Sequence, residues 1–175
     1  MKKYELTSET KTLPSGTVLH RIRAVRKFTL TNGAIIAPGT LGGWVEKEKN
    51  LSHENNAWVC GDACVYGDAC VLDDACVYGD AKVGGDADVC GEAVLRKTVK
   101  INNTTDYITA GPTGSRESFT TYCIAADLVF CGCFSGTLEQ FAAAVEKTHA
   151  AHPAHLAQYR AMVAYFTALR QNKNS

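Results

Sequence analysis

Residues 57–92 repeat every six positions, reading AWVCGD, ACVYGD, ACVLDD, ACVYGD, AKVGGD and ADVCGE, with a degenerate AVLRKT after them. A fixed six-residue period does not fit an α-helix, and it persists too long for a simple hairpin. It is the sequence form of a β-solenoid, in which each short strand stacks on the equivalent strand of the next coil. That constrains the middle of the chain to a parallel, coil-on-coil architecture. The chemistry must be sought outside it.

Each slot of the hexad has a physical task. Val59, Val65, Val71, Val77, Val83 and Val89 fill the interior. Ala63, Ala69, Ala75, Ala81, Ala87 and Ala93 also face inward, where only a small side chain fits near a corner. Gly61, Gly67, Gly79, Gly85 and Gly91 occupy the corner, which needs positive φ, and Asp73 is the one substitution there. Asp62, Asp68, Asp74, Asp80 and Asp86 follow, with local side-chain-to-backbone bonding at turns as their expected role. Trp58, Tyr66, Leu72 and Tyr78 point away from the interior. A row of exposed apolar groups of this kind predicts self-association.

This pattern resembles the hexapeptide-repeat, left-handed parallel β-helix family, over residues 45–101. The resemblance implies three hexads per triangular coil, so that residues eighteen apart stack: Val59 over Val77 and Leu95, and Val65 over Val83 and Ile101. It also implies the left hand, and a trimer as the favoured homo-oligomer. From Leu51 to Val59 the spacing is eight, which predicts a two-residue loop carrying His53. The preceding stretch, TLGGWVEKEKNLSHENNAWV, resembles bacterial and prophage proteins labelled hexapeptide transferases or polymer-forming proteins.

The expected fold is mainly β. Residues 1–44 form N-terminal strands or a cap, with a tight turn at Asn32-Gly33. Residues 45–104 form the short β-helix. Residues 105–175 form a small α+β domain, a three-stranded antiparallel meander (106–110, 119–124, 128–134) plus two helices. Thr137 and Gln140 fit a capping box at the start of the first helix. Leu138, Phe141, Ala142 and Val145 make its apolar stripe, and Leu156, Tyr159, Val163, Phe166 and Leu169 make that of the second.

Composition excludes several classes. Eighteen basic residues balance eighteen acidic ones, which gives no general attraction to a nucleic acid polymer or a membrane surface. No apolar run approaches bilayer length and no signal segment opens the chain, so the cytoplasm is expected. Eight cysteines in that compartment read as free thiols, five of them in repeat slots, without disulfides or metal. His20, Arg21, Arg23, Arg26 and Lys27 make residues 17–30 locally basic, read as a solvated edge strand or as one wall of an anion site.

In a three-stranded meander the loop Gly111-Pro112-Thr113-Gly114-Ser115-Arg116 and the first helix's N-terminus share one end of the sheet. Free N–H groups there, the amides of the loop and the fork of Arg116 suit an anion. The expected binding residues are Thr113, Gly114, Ser115, Arg116, Thr120, Tyr122, Phe134, Gly136 and Thr137, with no cofactor and no catalytic residue. The loop lacks the ending of a phosphate-binding Walker motif. Three functions compete. One is non-enzymatic binding of a phosphate-bearing, nucleotide-like molecule; resemblance to prophage proteins extends this to sequestering a host immune nucleotide signal. Another is an acyltransferase using acyl-coenzyme A, with His53 as its base. The last is a structural, scaffolding oligomer.

Overall fold

The computed structural model describes residues 1–114 and 116–173. The chain divides into two compact units, Met1–Thr105 and Asp106–Ser175.

In the first unit β1 (Tyr4–Thr12) pairs antiparallel with β2 (Val18–Ala24). A small hairpin of β3 (Phe28–Thr29) and β4 (Ile35–Ile36) follows. Gly33, at φ +83°, lets its turn close, and its N–H donates to the Leu30 carbonyl at 2.9 Å. Next come β5 (Leu41–Val45), β6 (Trp58–Val59), β7 (Cys64–Val65), β8 (Cys70–Val71), β9 (Cys76–Val77), β10 (Lys82–Val83), β11 (Asp88–Val89), β12 (Val94–Leu95) and β13 (Lys100–Ile101). These strands stack in parallel as three ladders: β5-β7-β10-β13, β8-β11 and β6-β9-β12. The result is a parallel β-solenoid of about three turns.

The registers carry the spacing of the sequence. Val59 pairs with Val77, and Val65 with Val83, each eighteen residues on. Leu51 instead bridges to Val71, twenty residues on, so the two extra residues bulge out after Leu51. Val59, Val65, Val71, Val77, Val83 and Val89 are wholly buried, as are the six corner alanines. Gly61, Gly67, Gly79, Gly85 and Gly91 have φ between +61° and +73°, and Asp73 joins them at +55°.

Two expectations need correction here. The outward aromatics are not an exposed row: Trp58 is 1% exposed, with Phe28 edge-on at 5.2 Å and Tyr4 at 6.5 Å. The N-terminal strands cover part of the solenoid's outer surface, and β2 joins β5 in one sheet. Leu13 and Leu19 likewise cluster with Trp44 and Cys64. The turn acids also do more than bond their own turns. Asp74 accepts from Asn56 (N–H 3.2 Å, side-chain amide 2.9 Å), and Asp73 from the Gly91 N–H at 2.9 Å. They tie one coil to the next. The basic strand is paired with β1, Arg21 with Glu9 and Arg23 with Glu5.

In the second unit β14 (Tyr107–Thr113), β15 (Ser118–Cys123), β16 (Leu128–Cys131) and β17 (Phe134–Gly136) form one antiparallel sheet in chain order. The expected third strand is therefore two. Gly132, at φ +55°, turns the chain back, and Cys131 pairs with Phe134. Helices α1 (Leu138–His149) and α2 (Pro153–Lys173) complete the unit. Thr137 caps α1: its hydroxyl accepts from the Gln140 N–H at 3.2 Å, and Gln140 accepts from the Thr137 N–H at 3.0 Å. The core joins Tyr122 and Val129 of the sheet to Leu138, Phe141 and Val145 of α1 and Tyr159, Met162 and Phe166 of α2. Burying a side chain such as Phe166 is worth about 2–3 kcal/mol. Among the described residues, no helix is long and apolar enough to cross a membrane.

Candidate functional site

The extra strand moves the start of α1. Thr113 and Ser118 pair at one end of the sheet, where the Gly132 turn also lies. Gly136 pairs with Val129 and leads to the other end, where Tyr107 pairs with Cys123 and Cys123 with Leu128. The loop at Arg116 and the N-terminus of α1 thus sit at opposite ends. α1 then runs twelve residues, about 18 Å, back along the sheet. Its last turns, not its first, come beside Arg116.

What forms there is a cleft of about 400 Å³. Ser118, Cys131 and Phe134 supply the sheet side; Phe141, Ala144, Val145, Thr148 and His149 supply the α1 side. Tyr159 of α2 closes it, and Arg116, Gly132 and Cys133 form the rim. Phe134 and Phe141 lie 5.3 Å apart, and Phe141 meets Tyr159 edge-on at 6.1 Å. His149 stacks on Tyr159 at 4.7 Å. Burial pushes the Tyr159 phenol up to about 12; neighbouring Cys131 adds to this, and the charge of Arg116 opposes it. Arg116 is exposed and makes no ion pair or hydrogen bond among the described residues.

The expected binding residues separate accordingly. Arg116 and Phe134 share the cleft. Ser115 lies outside the described residues. Thr113 and Gly114 are held against α2, through the Tyr159 hydroxyl on the Thr113 carbonyl (3.4 Å) and the Gly114 N–H on Gln158 (3.3 Å). Thr120 is fully buried, and its hydroxyl has no partner among the described residues. Tyr122 is a core residue whose hydroxyl donates to Asp127 at 3.0 Å. Gly136 and Thr137 belong to the far end. Cys131, Cys133, Thr148, His149 and Tyr159 enter the site unforeseen. Phe141, Ala144, Val145 and Thr148 recur at helical spacing, the one signal that could have pointed to them.

His53 has a different setting. Its Nδ1 accepts from the Lys3 N–H at 3.2 Å, and its Nε2 lies 3.0 Å from Glu48. Its ring stacks on Tyr4 at 4.4 Å. Among the described residues, no three His, Cys, Asp or Glu side chains are placed to hold a metal ion. In comparisons with known proteins, no family model matches the chain and no curated protein matches it.

Proposed function

We propose that the C-terminal unit binds a small phosphate-bearing, nucleotide-like molecule in this cleft and holds it without converting it. The cleft itself carries the reading: an apolar, ring-lined hollow with a guanidinium at its rim that is unpaired among the described residues. Its size falls within the range of about 300–1,000 Å³ usual for small-molecule sites. Phe134, Phe141 and Tyr159 offer ring faces and edges to a base. Arg116 offers a planar fork to one phosphate, at a place where none of the cleft's described lining residues is a carboxylate. Sequestration of a nucleotide signal would be binding of this kind.

The rival functions draw less support. An acyltransferase would need His53 as base, and both nitrogens of that ring already have partners. A purely structural role leaves the guanidinium facing an open apolar cleft unexplained. For the solenoid, we infer the hexapeptide-repeat, left-handed class, supported by the eighteen-residue register and the buried Val and Ala slots.

Calorimetric titration with linear and cyclic nucleotides tests the binding reading, together with mass spectrometry of small molecules released on heating. One ligand per chain, lost in Arg116→Ala, is the expected outcome. Acyl transfer from acetyl-coenzyme A would overturn it.

A further inference from the structure

A second hollow of about 230 Å³ adjoins the first and shares Thr148 and His149 with it. Its other lining residues are His152 and His155. The His152 N–H donates to the His149 carbonyl at 2.8 Å, and the Leu156 N–H to that of His152 at 3.0 Å. These bonds fix the three histidines around the connection between α1 and α2. We propose that this three-histidine pocket is an anion subsite of the same cleft, taking a second phosphate of the molecule that Arg116 holds by the first. The proposal rests on the reading of the cleft as a ligand site.

Distances separate this from a metal centre. The His149 and His155 ring centres are 6.2 Å apart, and those of His152 and His155 6.0 Å. A tetrahedral zinc with nitrogens about 2 Å away brings ring centres to about 5 Å. An anion oxygen stands about 2.8 Å from each donor, which sets the rings about 6–7 Å apart. The observed spacing fits the anion. Each imidazole carries an N–H donor in either protonation state.

The surroundings have the right sign. The pocket lining contains no carboxylate, and α2 has no acid in its first turn. Among the described residues, the positive end of the α2 dipole is therefore left without a protein counter-charge there. The nearby Glu146 is committed to Arg160 through two contacts of 2.7 Å. Arg116 lines the first hollow and the three imidazoles the second, so a molecule with a phosphate at each end would span both.

Two measurements test this. Inorganic phosphate is titrated while the imidazole signals are followed by NMR; those of His149, His152 and His155 should shift together and saturate. Calorimetry then compares adenosine 5′-monophosphate with adenosine 3′,5′-bisphosphate. The wild type should prefer the bisphosphate by on the order of tenfold. The double variant His152→Asn, His155→Asn should lose that preference and keep its affinity for the monophosphate, while Arg116→Ala should weaken both. Imidazole signals unmoved by phosphate, or a preference that survives the double variant, would overturn the subsite. Phosphate shifting the imidazoles while neither nucleotide binds would retain an anion pocket and remove the cleft reading.

Discussion

The Lys3 ammonium donates a 2.8 Å hydrogen bond to the carbonyl of Ala57, fifty-four residues further along the chain. Lys3 is fully buried, and it also reaches the carbonyls of Glu54 (3.3 Å) and Asn55 (3.5 Å). One cation thereby closes the loop that breaks the hexad register. Lys3→Met would leave these carbonyls unsatisfied, at a cost of about 2–4 kcal/mol. In a chain of this size the melting temperature should fall by roughly 5–15 °C, read by calorimetric melting.

The same lysine gives a signed pH dependence. Burial, reinforced by nearby Arg26, lowers its pKa from 10.5 to about 8. Between those values the unfolded chain binds more protons than the folded one, so this group's contribution to stability rises with pH. The gain is up to roughly 3 kcal/mol across the window. Cys76 and Cys123 act in the opposite sense: burial raises their thiols from 9.0 to about 12, so their contribution falls above pH 9. The stability difference between wild type and Lys3→Met, measured by denaturant unfolding from pH 7.5 to 10.5, isolates the lysine. It should grow as pH rises, and a flat difference would contradict the buried ammonium.

Corner glycines should differ in how well they tolerate alanine. Gly91 has φ +64° and, among the described residues, open space where a Cβ would sit, so Gly91→Ala carries only backbone strain, about 1 kcal/mol. Gly61 would place a Cβ 3.4 Å from Gly79, an ordinary contact. Gly85 would drive its Cβ into the Asn102 carbonyl. Gly85→Ala should therefore cost roughly 3 kcal/mol or more. Equal losses at Gly85 and Gly91 in urea unfolding would show that packing between coils does not decide the outcome.

The solenoid was legible because each hexad slot answers a local demand: Val inward, Ala near a corner, Gly at positive φ. Even the loop at His53 follows from counting. The cover over Trp58 was not legible, because it depends on Tyr4 and Phe28, which are distant in sequence and in a stretch without repeats. The candidate cleft was legible only in part. Arg116 and Phe134 do share a hollow, but Gly132 inside an apparently continuous strand reverses the chain once more. That one extra strand exchanges the first turn of α1 for its last. Cys131-Gly132-Cys133 carries none of the Asn-Gly or Asp-Gly signal that marks a tight hairpin.

The thiols at the two extremes of exposure should react differently. Cys90 and Cys133 are exposed, while Cys64, Cys76 and Cys123 are buried. An aromatic disulfide reagent with carboxylates should label Cys90 and Cys133 first, and the buried three only on unfolding. Cys133 stands at the rim with Arg116. Saturation with a nucleotide that fills the cleft should slow labelling of Cys133 severalfold and leave Cys90 unchanged, as read by peptide mass spectrometry. Equal protection of both would place the ligand elsewhere.

Arg116→Ala and Thr137→Ala should have opposite effects. Arg116 is exposed and unpaired among the described residues, so its loss should barely alter melting. If it holds a phosphate, its removal should weaken binding by roughly 2–3 kcal/mol, thirty- to a hundredfold. Thr137 caps α1 at the other end of the sheet, where its hydroxyl accepts from the Gln140 N–H at 3.2 Å. Thr137→Ala should lower stability by about 1 kcal/mol. It should leave nucleotide affinity unchanged, because the last turns of α1 line the cleft and its cap does not. Melting curves and titrations on both variants decide the point. A loss of affinity in Thr137→Ala matching that in Arg116→Ala would restore the helix N-terminus to the site and refute the cleft at the C-terminal end of α1.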